Sequence, residues 1–171
     1  MMEELTKTSR ILSVYHLFLN CQEVSFLELK QQFGVSEKTS LRDIHLLERA
    51  GVLETRYDRN AKAFYPVSLE LRPMAAEENQ TRRKYLERIR RLCLLMARMA
   101  EEDDSDGMNK RELYRELFPD CSDRTRQRDF QELEKLGYRA SYSREWPDEP
   151  GRWSYEIPDT YGLETIPRMR L

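Results

Sequence analysis

One stretch of this chain occurs twice. Ser36 to Gly51, SEKTSLRDIHLLERAG, aligns without a gap with Ser122 to Gly137, SDRTRQRDFQELEKLG, at a constant offset of 86 residues. Seven pairs are identical: Ser36/Ser122, Thr39/Thr125, Arg42/Arg128, Asp43/Asp129, Leu47/Leu133, Glu48/Glu134 and Gly51/Gly137. Lys38/Arg124 and Arg49/Lys135 keep their charge. A repeat at this separation constrains the fold more than any bulk property, because each copy must form the same unit in a similar setting. In 171 residues it predicts two small domains of about 70 to 85 residues each, enough for a modest core.

Each copy reads as a complete helix. Ser36 and Ser122 are N-caps, an acid follows in the first turn where the helix dipole favours it, and Gly51 and Gly137 stand where a helix ends on a left-handed residue. Ile44 and Leu47, like Phe130 and Leu133, fall on one stripe. Lys38, Leu41, Arg42 and His45 fall on another, as do Arg124, Gln127, Arg128 and Gln131. One face packs and the other is offered to a partner.

The surrounding chain supplies what such a helix packs against. An apolar stripe with Ile11, Leu12, Tyr15 and Phe18 predicts a helix from Thr6 or Thr8 to near Asn20. Val24 and Ser25 make a short strand. Ser25 with Glu28 is a capping box for a helix over 26–33 that Gly34 ends, so a tight turn joins it to the helix capped by Ser36. Val52 to Tyr57 and Ala63 to Val67 read as a hairpin around the polar DRNAKA turn. A linker over 71–81 leads into the longest helix, Thr81 to Glu102, with Tyr85, Ile89, Leu92, Met96 and Met99 on its apolar stripe and many arginines around it. That basic face is either simply solvated or a contact surface for a nucleic-acid backbone or a second copy. After the acidic turn EEDDSDG, Asn109 caps a short helix, the repeat follows, and Tyr138–Ser143 with Trp153–Ile157 form a second hairpin. The expected domains are 1–70 and 82–158, with a tail over 159–171. The fold class is mainly α with small β-hairpin wings, as tandem winged helix-turn-helix domains.

From Ser9 to Pro66 the chain resembles the N-terminal winged helix-turn-helix of DeoR-like and WYL-domain bacterial transcription regulators. Their third helix reads S-x-x-T-x-x-R-D followed by spaced apolar residues and a glycine, matched here by Ser36, Thr39, Arg42, Asp43, Leu47 and Gly51. The second half resembles the same module through Ser122, Thr125, Arg128, Asp129, Leu133 and Gly137. The likeness to full-length WYL regulators is expected to end there, with a second DNA-binding-type module where their sensing domain would follow.

The resemblance implies helices that enter the DNA major groove. The first copy then offers Lys38, Thr39, Ser40, Leu41, Arg42 and His45, and the second offers Arg124, Thr125, Arg126, Gln127, Arg128 and Gln131. Arginine forks onto guanine and glutamine onto adenine, so the second set is the stronger reader. Arg56, Arg59 and Lys62 of the first wing, and Arg144 and Arg152 of the second, reach toward phosphate or minor groove. Arg42 and Arg128 have an alternative role, pairing with carboxylates of neighbouring helices, and Asp43 and Asp129 read as structural. Ser40 and Arg126 fall where such helices place an inward aliphatic residue, which obliges Arg126 to snorkel outward or to distort the helix start.

Several functions are not expected. Cys21, Cys93 and Cys121 are three, widely spaced and in no CxxC pair, and His16 and His45 form no metal box, so no metal, disulfide or cofactor is expected. No glycine-rich phosphate loop or nucleophile with a base marks an enzyme. With 39% hydrophobic and 35% charged residues, no membrane-length apolar run and no apolar stretch in MMEELTKTSR, the chain reads as cytoplasmic. The net charge of −2 is low for a DNA binder, although phosphate contact depends on where cations cluster.

The predicted function is a sequence-specific regulator of transcription that binds double-stranded DNA, with a homodimer possible and any small-molecule effector unknown. The alternative keeps the fold as a protein-interaction module. Tandem winged helices of chromosome-segregation accessory proteins have this architecture, and exposed Leu41, Trp146 and Trp153 would be contacts. A third option is an acidic inhibitor that occupies another protein's nucleic-acid site.

Overall fold

A computed structural model of the chain describes residues 5–101, 108–144 and 146–159. It is mainly helical, with two small antiparallel sheets. The acidic turn over 102–107 and the tail from 160 onward lie outside the described residues. The chain forms two compact units, one running to Cys93 and including Asp159, the other Leu94–Pro158.

In the first unit, helix α1 spans Lys7–Asn20, capped by Thr6, whose hydroxyl accepts from the Ser9 amide at 3.1 Å. Strand β1 (Val24–Ser25) leads into helix α2 (Phe26–Phe33). The capping box is complete: the Glu28 amide donates to Ser25 Oγ at 3.1 Å and the Ser25 amide to Glu28 Oε2 at 2.9 Å. Gly34, at φ 64°, turns the chain toward helix α3 (Glu37–Arg49), capped by Ser36.

At the end of α3, Gly51 donates to Glu48 and Val52 to Leu47, with Gly51 at φ 77°. This pair of bonds is a Schellman closure. It engages the backbone donors of Gly51 and Val52, so strand β2 begins at Glu54 rather than at Val52 and runs to Asp58. Strand β3 (Ala63–Ser68) pairs antiparallel with β2 and also with β1, giving the order β1-β3-β2. Ile11, Leu12, Tyr15 and Phe18 of α1 are buried, as are Leu29, Ile44, Leu47 and Phe64. Burying each such side chain contributes roughly 1.5–3 kcal/mol.

Residues 69–79 have no regular structure, yet they are pinned to the end of α3. Arg72 donates to the Gly51 carbonyl at 2.8 Å and Ala75 to that of Arg49 at 2.9 Å. Helix α4 spans Gln80–Glu101. Its first half belongs to the first unit, where Leu86, Ile89 and Leu92 are buried and the Tyr85 hydroxyl meets that of Thr8 at 3.1 Å. The units divide inside this helix, between Cys93 and Leu94. The sequence reading places the whole helix in the second half.

The second unit takes Leu95, Met96 and Met99 from the end of α4. Helix α5 (Lys110–Leu117) is capped by Asn109, and helix α6 (Asp123–Glu134) by Ser122. The connection between α5 and α6 is two residues longer than that between α2 and α3, 118–122 against 34–36. Gly137 at φ 97° repeats the Schellman closure: Gly137 donates to Glu134 and Tyr138 to Leu133. Strands β4 (Arg139–Ser143) and β5 (Arg152–Glu156) form the second hairpin, with Tyr142 opposite Trp153.

Candidate functional site

Helices α3 and α6 present the two faces that the repeat predicts. Ile44 and Leu47 are fully covered, as is Leu133, while Phe130 is nearly so. Lys38, Arg42 and His45 are exposed on α3, and Arg124, Gln127, Arg128 and Gln131 on α6. Leu41, on the same exposed face of α3, is 37% accessible.

Ser40 and Arg126 do not belong to this face. Each lies four residues before an inward apolar side chain and shares its stripe, so Ser40 is 1% and Arg126 7% accessible. Arg126 is accommodated inside the fold by its own turn, its Nη1 meeting Asp123 Oδ1 at 2.7 Å. Of the two alternatives expected for Arg126, snorkelling outward or distorting the helix start, the first goes only as far as this surface carboxylate, and its place among the exposed contact residues is corrected. Ser40 Oγ is buried with no hydrogen-bond partner. Thr39 and Thr125 are half-buried and serve the caps, their amides donating to Ser36 Oγ and Ser122 Oγ, each at 3.2 Å.

The repeated Arg-Asp dipeptide splits between the two sides. Asp43 and Asp129 are each 2% accessible. Arg10 of α1 donates to both Asp43 oxygens, Nε to Oδ2 at 2.6 Å and Nη2 to Oδ1 at 3.0 Å. This hydrogen bond raises the Arg10 guanidinium above its usual value. In the second unit the Tyr114 hydroxyl of α5 donates to Asp129 Oδ2 at 2.6 Å. Arg42 and Arg128 make no ion pair among the described residues. The repeated aspartate thus anchors each helix while its neighbouring arginine stays outside. Neither Arg10 nor Tyr114 stands out in the sequence, since each lies outside the repeated stretch.

The hairpins carry the other cations. Arg56, Arg59 and Lys62 are exposed, as are Arg144 and Arg152 of the second hairpin. Lys62 turns at φ 48°, a left-handed position for a side-chain-bearing residue, and its carbonyl accepts from the Phe26 amide at 3.2 Å.

An open concavity of about 640 Å³ runs between α3 and the first hairpin, with Phe26, Leu41, Tyr57 and Phe64 among its lining. Phe26, Tyr57 and Phe64 form a ring cluster with centroids 4.9 to 5.6 Å apart. Glu37, Lys38, His45 and Glu48 border it. The sequence reading singles out Leu41 but not this aromatic floor, because the three rings come from α2, β2 and β3 and meet only once the hairpin pairs.

Cys21 and Cys93 are buried free thiols. Burial pushes the Cys93 thiol well above its usual value and also raises that of Cys21. Among the described residues, no three His, Cys, Asp or Glu side chains come together to hold a metal, and no helix is long and apolar enough to cross a membrane. Compared with protein-family models, curated proteins and solved structures, the chain matches none.

Proposed function

We infer that both units are winged helix-turn-helix domains and that the chain is a sequence-specific regulator of transcription that binds double-stranded DNA, with α6 as its stronger reading helix. The observation that carries this reading is the outer face of α6. Arg124, Gln127, Arg128 and Gln131 are all exposed there, and neither arginine is ion-paired among the described residues. Arginine and glutamine are the side chains that make two-pronged hydrogen bonds to guanine and adenine in the major groove. A helix with such a face, its far side anchored through Asp129, Phe130 and Leu133, has the form of a base-reading element.

The test is an electrophoretic titration against random duplex DNA at low and moderate salt, followed by selection of bound sequences from the pool. A regulator binds with affinity that falls steeply with salt, and its selected sequences share a motif. Arg124→Ala with Arg128→Ala weakens binding to the selected sequence and relaxes its base preference at the positions these arginines read. Unchanged binding by that double variant would place the reading face elsewhere.

The concavity beside α3 favours a second reading, a protein-interaction module, since Leu41 and Tyr57 expose apolar surface there and Tyr142 and Trp146 expose more on the second hairpin. Absence of any duplex shift at low salt selects this reading.

A further inference from the structure

The two exposed faces differ at two aligned positions, His45 against Gln131 and, with the larger change in polarity, Leu41 in α3 against Gln127 in α6. Leu41 projects from the same face as exposed Lys38, Arg42 and His45, so a duplex engaged by those cations meets leucine as well. It also lines the same open concavity as Phe26, Tyr57 and Phe64.

We propose that Leu41 makes the first unit a reader of thymine through its 5-methyl group, so that the two units recognise different base pairs and the target is a composite of unlike half-sites. This rests on the DNA-binding reading above. The chemistry of the groove edges leaves few choices. The groups there are hydrogen-bond donors and acceptors and flat C–H edges, and the thymine methyl is the one apolar group that projects into the groove. Leucine against any other edge strips water from a polar group and returns no hydrogen bond, which is unfavourable. Against the methyl it buries apolar surface on both sides. Leu41 therefore favours thymine and disfavours the other bases with the same side chain, a combination of attraction and rejection that specificity requires. Gln127 at the aligned place has the opposite demand, because its amide needs a donor–acceptor pair such as adenine presents.

The test uses the full chain and the duplex selected from the random pool. Each thymine is replaced in turn by deoxyuridine, which removes only the methyl and leaves the base pairing unchanged. At one or two positions in one half-site the replacement weakens binding roughly fourfold, the value of one buried methyl. Placing 5-methylcytosine in a cytosine-substituted duplex at those positions recovers part of the loss. Leu41→Ala abolishes the sensitivity to deoxyuridine at those positions while binding to the other half-site continues. Leu41 is a surface residue, so the variant retains its fold, checked by its thermal melt. Leu41→Gln shifts the base selected there from thymine toward adenine.

Binding that depends on Arg124 and Arg128 but is unaffected by every deoxyuridine replacement overturns the thymine contact, leaves the DNA-binding reading standing and reserves the concavity for a protein. No binding to any duplex at low salt overturns both.

Discussion

Gly34 and Gly51 both stand at positive φ, 64° and 77°, but their surroundings differ. A side chain added at Gly34 meets nothing within 4 Å, whereas one at Gly51 falls 2.3 Å from the Arg72 carbonyl oxygen. Gly34→Ala is therefore expected to lose only the conformational term, about 1–2 kcal/mol. Gly51→Ala adds a backbone clash and should lose roughly 3 kcal/mol or more, read by urea denaturation. Arg10→Ala leaves the Asp43 carboxylate, 3% accessible, without its guanidinium, and the expected loss is about 3 kcal/mol. A change below the error of the melt would show that another donor replaces Arg10. Ser40→Ala goes the other way. It removes a buried hydroxyl that lacks a partner and improves helix propensity, so a gain of about 1 kcal/mol is expected, with duplex binding unaltered.

At the scale of elements, the helix caps, both glycine stops and the inward stripes were legible in the sequence because each depends on contacts within one turn or on a simple period. Ser25 with Glu28 and Ser36 with Thr39 are local pairs, and the structure forms them where the spacing predicts. The inward placement of Ser40 and Arg126 was also legible in the stripe, and it outweighs the resemblance that offers them to the outer face. The concavity and the anchors Arg10 and Tyr114 were not legible, since they arise from side chains brought together by tertiary pairing. The contrast between α3 and α6 yields an element-level prediction. Arg124→Ala and Arg128→Ala each weaken binding to the selected sequence by about 1–3 kcal/mol and relax its base preference at one position. If the α3 variants Lys38→Ala and Arg42→Ala relax the preference and the α6 variants do not, the order of the two readers is reversed.

At the scale of the whole molecule, α4 decides where the chain can be cut. Leu86, Ile89 and Leu92 are buried and belong to the first unit, although the repeat suggests a boundary near residue 81. A fragment ending at residue 81 discards those side chains, each contributing roughly 1.5–3 kcal/mol, and is expected to be largely unfolded by circular dichroism. A fragment ending at residue 93 should be markedly more helical and melt cooperatively. Equal melts for the two would mean that α4 adds nothing to the first unit. The first unit is also discontinuous: His16 of α1, 1% accessible, has its Nε2 2.8 Å from the carbonyl oxygen of Asp159, 143 residues later. On a ribosome adding about 5–20 residues per second, roughly 7 to 29 seconds separate the emergence of these two groups. During that interval the buried imidazole lacks its carbonyl partner, so the first unit to be synthesised is not the first to be finished.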